Sequence, residues 1–189
     1  MTNTPDTRSR LKQVFAAHLA RHGYAGVSLH AVAAESGIKK PSLYHHFPGG
    51  KDELYAEVAH DFIEDRHRAL TAALATEGGL PEVLMAVVSV SADPSGAVVA
   101  FDQRLFDALA VVGEAVRTDV SATYVAKLLR PMEEFFRGAV DAGELAGPDA
   151  AFLANAFLHL ARATDLAPAD STLPERLVRL FLDGAGRQG

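Results

Sequence analysis

The sequence predicts an all-α protein, and three observations carry that prediction. Apolar residues recur with helical spacing along the chain, and no stretch alternates convincingly with a period of two. Ala, Leu and Val are abundant while only 7% of residues are aromatic, a bias toward helix over sheet. Glycine and proline punctuate the chain consistently, at Pro48-Gly49-Gly50, Gly78-Gly79, Asp93-Pro94-Ser95-Gly96, Ala142-Gly143, Gly147-Pro148 and a loop over Ala167–Thr172.

The elements follow in order. A first helix is expected from about Pro5 to His22, with Leu11, Val14, Phe15 and Leu19 on one face and Gly23 placed to end it. Ser28 suits an N-cap and opens a short helix, Leu29 to Ser36, whose inward residues are Leu29, Val32 and Ala33. Gly37-Ile38 makes a tight turn. A third helix starts near Lys40 with Pro41 at its first position, where the missing N–H costs nothing, and closes at Pro48. Lys51 begins a long helix to about Ala75, with Leu54, Val58, Phe62 and Leu70 as its apolar face. Further helices are expected over Pro81–Ser91, Gly96–Gly113, Asp119–Ala142, Pro148–Thr164 and Pro174–Asp183. Pro131 lies inside the Asp119–Ala142 segment and should kink or split it.

A chain of 189 residues can hold a small domain fused to a medium one. It can bury roughly 70% of its unfolded surface, so it needs neither disulfide nor metal. The absence of cysteine excludes disulfides, thiolate chemistry and cysteine-ligated zinc, and it suits a reducing cytosol. The opening MTNTPDTRSR has no apolar signal core, and the apolar run Val83 to Val88 is far short of the roughly 20 residues of a membrane span. A soluble cytoplasmic protein with no membrane partner is expected.

The net charge of −6 argues against a nucleic-acid partner until its distribution is considered. Residues 1–60 hold Arg8, Arg10, Lys12, Arg21, Lys39, Lys40 and Lys51 against Asp6, Glu35, Asp52, Glu53 and Glu57, which makes this head weakly basic. The remainder carries −8. A basic head on an acidic body fits a DNA-binding domain joined to a regulatory one. Within the head, residues 28–47 meet the demands of a helix-turn-helix: two short helices, a glycine turn and a small shared core of Leu29, Val32, Ala33, Ile38, Leu43 and Phe47. Leu43 and Phe47 are four apart and point the same way. The opposite face of the third helix then carries Lys40, Pro41, Ser42, Tyr44 and His45, which suit base edges and phosphates in a major groove.

The stretch from Val14 to Val58 resembles the DNA-binding domain of TetR-family regulators. The markers are Gly23-Tyr24, Ser28, Ala33 with Gly37, Pro41-Ser42-Leu43-Tyr44, Phe47, Lys51 and Leu54. The resemblance implies that Lys40, Pro41, Ser42, Tyr44 and His45 face the groove, with Tyr44 and His46 against the backbone. It also implies that Ser28 and Lys51 hold phosphates and that His30 can reach a base. Lys39 stands where the family often has a small capping residue, which exchanges a cap for a phosphate contact. Ala31 stands where an acidic residue is common, so no capping box backs Ser28. The resemblance further implies a larger helical domain that dimerises and senses a small molecule, and repression through blocked promoter access. The expected division is 1–60 for DNA binding and 61–189 for regulation, with the boundary within the long fourth helix, which the two domains share.

In the body, Phe101, Phe106, Tyr124, Phe135, Phe136, Phe152 and Phe157 are most simply core, and two or three of them are expected to line a ligand pocket. Asn155, His159 and Arg162 form a polar stripe on the apolar segment AAFLANAFLHLARA. That stripe suits a wet face or a dimer rim, and the sharper reading lets Asn155 or His159 orient a ligand. Ala150, Ala151, Ala154 and Ala156 allow close helix approach, and Leu177, Leu180 and Phe181 add an apolar stripe, so a homodimer through the last two helices is expected. Neither a cofactor nor a metal is expected: His45 and His46 diverge on a helix, and His18 and His22, though spaced as a pair, have no third ligand nearby. No Gly-x-Ser-x-Gly, His-Glu-x-x-His, P-loop or dinucleotide glycine pattern occurs, so an enzyme is not expected. A body that binds a protein partner in place of a small molecule fits the sequence equally well.

Overall fold

The structure, a computed structural model, describes residues 6–91, 97–146, 149–166 and 170–185. The expected helix start at Gly96, the Gly147-Pro148 break and most of the Ala167–Thr172 loop lie outside them. The described residues form ten α-helices and no extended strand. They fall into two compact units.

The first unit comprises the chain up to Phe62 together with Ala97–Thr123. It holds α1 (Thr7–Gly26), α2 (Leu29–Glu35), α3 (Lys40–His46), the first half of α4 (Gly50–Leu74), α6 (Ala97–Leu109) and nearly all of α7 (Glu114–Tyr124). α1 leaves helical geometry at Gly23 and resumes briefly before Val27. α2 ends where Gly37 adopts φ +75, with Ile38 N–H bonded to Ala33 O and Gly37 N–H to Ala34 O, both 3.0 Å. This paired closure satisfies two orphan carbonyls of α2 and is open to a residue tolerant of positive φ. Leu11, Phe15, Leu19, Val32, Leu43, Phe47 and Leu54 form the core, each fully buried. Chain order puts residues 97–123 in the expected 61–189 division, yet packing groups them with the first unit. α6 lies against α1, Leu105 and Ala108 are buried, and the fully buried Tyr55 donates its hydroxyl to Leu105 O at 2.7 Å.

The second unit runs from Ile63 through α5 (Leu80–Ser91), and resumes at Tyr124. It continues with a π-helical turn (Val125–Leu129), α8 (Arg130–Asp141), α9 (Ala150–Ala161), a 3₁₀ turn (Arg162–Leu166) and α10 (Leu173–Ala185). Three rings hold it together. Phe136, Phe157 and Phe181 stand 4.9–5.8 Å apart in edge-on or tilted pairs, packed with Leu84, Val87, Val88 and Met132. Such pairs contribute about 0.5–1.5 kcal/mol each beyond the area they bury.

The helix expected over Asp119–Ala142 keeps helical backbone geometry throughout, and just before Pro131 it widens into one π-helical turn. α7 begins earlier, at Glu114, and a π-helical turn precedes α8. Proline at 131 cannot donate to Lys127 O, four residues back. His67 Nδ1 lies 2.8 Å from that carbonyl and takes up the orphaned acceptor, while Lys127 pairs with Glu64.

Candidate nucleic-acid interface

α3 is divided lengthwise by its own sequence. Leu43 is fully buried on one side, followed by the fully buried Phe47 at the helix end. On the other side Lys40, Pro41, Ser42, Tyr44 and His45 are all exposed, as is Lys39 just before the helix, and His46 is half-buried. The Tyr44 ring is 42% exposed, with Lys40 Nζ 5.8 Å from its centre. Lys39 provides no side-chain cap for α3, and Pro41 occupies the first turn. The sequence-expected groove residues therefore share one solvent-facing surface of a two-turn helix.

The turn into α4 is built around Gly50, whose φ is +64. A Cβ there would lie 3.2 Å from Tyr44 Cε1, so the bare backbone lets the Tyr44 ring rest against the start of α4. Glu53 Oε2 accepts the Gly49 N–H at 2.7 Å. Lys51 is partly buried: its ammonium stands 4.5 Å from the centre of the Tyr24 ring and donates to Ala25 O at 3.4 Å. Burial holds Lys51 below its ordinary lysine value, and the neighbouring Asp52 pulls the other way. An ammonium carries three donors, so one bond to Ala25 leaves capacity for a phosphate.

Ser28 caps α2, its Oγ accepting from Ala31 N at 3.5 Å, and both Ser28 and His30 are exposed. Sequence reasoning did not single out Asp52. Its carboxylate accepts from the Tyr24 hydroxyl and, at 3.0 Å, from the Gly113 N–H, tying the start of α4 to the end of α1 and to the α6–α7 turn. Burial and that carboxylate push the Tyr24 phenol well up, so it stays a donor. Residues 24, 52 and 113 are too far apart in sequence for spacing to reveal this.

The sequence-expected ligand residues are distributed over both units. Phe101 stacks edge-on against Phe62 at 5.4 Å, and it and Phe106 belong to the first unit. Tyr124 and Phe135 are half-buried in the second unit, and Phe136 is fully buried in its core. Phe152 is 66% exposed, and Asn155 and His159 are exposed on the same helix, Asn155 donating to Ala151 O of its own turn. Of the expected dimer residues, Ala150, Ala154, Leu177 and Phe181 are buried within the unit, and Ala151 and Ala156 are half-buried. Leu180 is 63% exposed. Phe152, Ala156, Leu160, Leu180 and Phe181 line an open apolar groove of about 520 Å³ along α9 and α10.

The first unit thus has the architecture of a helix-turn-helix DNA-binding domain, with a short exposed helix presented on a three-helix core. Residues 16–58 match the family model for bacterial regulatory proteins of the tetR family. That stretch spans α2, α3 and the start of α4, so the similarity to this family falls on the helix-turn-helix itself. A stretch of 59 residues is 37% identical to the HTH-type transcriptional regulator LmrA of Bacillus subtilis (strain 168), covering 31% of each chain. The curated relatives are therefore matched over only about a third of their length. The fold extends further. A bacterial regulatory protein in the tetR family from Rhodococcus RHA1 superposes with a TM-score of 0.79 at 17% identity, covering 98% of this chain and 100% of that one. AibR in complex with isovaleryl coenzyme A and operator DNA superposes with a TM-score of 0.70 at 18% identity, covering 96% and 98%. At these identities the likeness shows that the chain has the all-α TetR fold. No helix among the described residues is long and apolar enough to cross a membrane.

Proposed function

We propose that this chain is a ligand-responsive transcriptional regulator that binds a palindromic operator as a homodimer and represses until a small molecule releases it. The observation that carries the reading is the division of α3, with Leu43 buried while Lys40, Ser42, Tyr44 and His45 stand together in solvent. Lysine, serine and histidine supply donors for base edges and phosphates, and Lys39, Lys51 and Ser28 flank them as backbone contacts.

A two-turn helix offers a small footprint, so two copies reading half-sites about 34–36 Å apart supply the missing affinity. The groove on α9 and α10 supports that pairing, since Phe152 and Leu180 are large apolar side chains in solvent and lie on the two helices expected to pair. We assign Phe152 to this interface, and Tyr124 and Phe135 to the effector. A fold neighbour that holds both an acyl-CoA and operator DNA supports effector control. α4 contributes residues to both units and is the element through which the effector acts. To swing the dimer from 99:1 bound-competent to the reverse, the effector must prefer the other state by about 5.5 kcal/mol.

The test is selection of random duplex DNA against the purified chain, with Tyr44→Ala/Lys51→Ala as control. The reading expects a palindromic site that the control does not recover. Equal recovery by both proteins would sink it.

A further inference from the structure

Arg8 lies in the first turn of α1, 38 positions before the end of α3. Its guanidinium nevertheless closes on both α3 and α4. Nε donates to Glu57 Oε2 at 3.2 Å, Nη2 donates to Glu57 Oε1, and Nη1 donates to the carbonyl of His46. The same group sits 4.3 Å from the centre of the buried Phe47 ring. Glu53 lies 3.7 Å away, and Lys12 pairs with Glu57 and Asp61 beside it.

His46 is the last residue of α3, so its carbonyl lacks the N–H that a longer helix would supply. A helix of seven residues is marginal by itself, and its orientation rests on what its ends are tied to. A guanidinium suits this place. One edge matches a carboxylate through two parallel bonds, a further N–H remains for the carbonyl, and the positive charge sits at the helix C-terminus. Lysine has no such fork.

We propose that Arg8 is the positioning residue of the DNA-reading helix: it locks the end of α3 to Glu57 of α4, and so sets the aim of Lys40, Ser42, Tyr44 and His45. It does this without touching base or phosphate. This proposal rests on the DNA-binding reading above.

The test compares wild type, Arg8→Lys, Glu57→Gln and the double variant on a selected operator and on random duplex, across a salt series. Amide exchange along α3 without DNA is measured in parallel. Arg8→Lys is expected to lose roughly tenfold on the operator, the weight of one or two charge-assisted hydrogen bonds, and under about twofold on random duplex. The salt slope stays unchanged, the two substitutions are strongly non-additive, and exchange of the Phe47 amide, bonded to Leu43 O at 2.8 Å, accelerates.

Equal losses on both DNAs with a slope shallower by about 1 would make Arg8 a phosphate contact and overturn the proposal. Unchanged operator preference with a lowered melting temperature would make it merely structural, and unchanged α3 exchange would make it an ordinary surface pair. A wild-type chain without operator preference overturns the DNA reading and this proposal together. That outcome is told apart from failure of the clamp alone, where wild type binds normally.

Discussion

The first unit adds to its apolar core a set of polar groups that reach across the chain, whereas the second centres on three packed rings, keeps fewer such ties (His67 to Lys127 O, Lys127 to Glu64), and leaves Phe152 and Leu180 in solvent. In the first, Arg8 joins Glu57 and His46, His18 meets Glu35 at 2.8 Å, Asp52 holds Tyr24 and Gly113, and Tyr55 reaches Leu105 O. In the second, Phe136, Phe157 and Phe181 form the centre, and Phe152 and Leu180 point away from it. Directional bonds fix the angles between short helices, which is what reading a groove requires. An aromatic core fixes little about the surface. It leaves an apolar face free to be covered by a second copy.

Breaking the ring cluster should have the largest effect. Phe136→Ala removes a fully buried ring and should cost about 3–5 kcal/mol, read as a large fall in the calorimetric melting of the second unit. A loss below about 1 kcal/mol would show that the cluster is not its centre.

The exposed face sharpens the contrast. Phe152→Glu/Leu180→Glu should leave helix content intact and weaken self-association about a thousandfold, since two central interface side chains at roughly 2 kcal/mol each sum to about 4 kcal/mol. Sedimentation that shows the same mass for both proteins across concentrations would remove this face from the dimer.

A smaller effect belongs to the first unit. Tyr55→Phe deletes one buried hydroxyl bond to Leu105 O and should cost about 1–2 kcal/mol in urea unfolding, with helix content unchanged.

The smallest is a pH effect. The hydrogen bond from His18 holds the Glu35 carboxyl below its ordinary value, with His18 and Arg21 charges adding to the pull and burial opposing it. A depressed carboxylate contributes stability that is present above its unfolded value, about 4.3, and is lost as pH falls through the lowered one. Glu35→Gln should therefore flatten the acid limb of the urea midpoint below about pH 5, and leave the neutral region little changed. An acid limb as steep as wild type would show that the pair contributes nothing.

The same contrast explains what could be read in advance. The helix-turn-helix is local: Ser28, Gly37, Pro41 and the four-residue spacing of Leu43 and Phe47 each act within a turn or two, so α2 and α3 fall where the sequence places them. Pro131 likewise announces a local distortion, and a π-helical turn stands just before it. What sequence spacing does not encode is pairing over distance. Nothing in the local pattern puts Arg8 beside Glu57, or Leu105 beside Tyr55, and for the same reason chain order alone does not reveal that α6 packs with the first unit. The apolar helix α9 is legible as a helix. Which of its rings turns outward depends on which neighbours fill the inside, so Phe152, expected among ligand-facing rings, stands in solvent while Phe157 is buried.

The most direct measurement of the central claim is the affinity of the full chain for its selected duplex as a function of salt. Two protomers that each neutralise three or four phosphates predict a slope of log affinity on log salt of about −5 to −7, roughly halved by Phe152→Glu/Leu180→Glu. A slope near zero would contradict the account, because it would leave the exposed face of α3 with no nucleic acid to read.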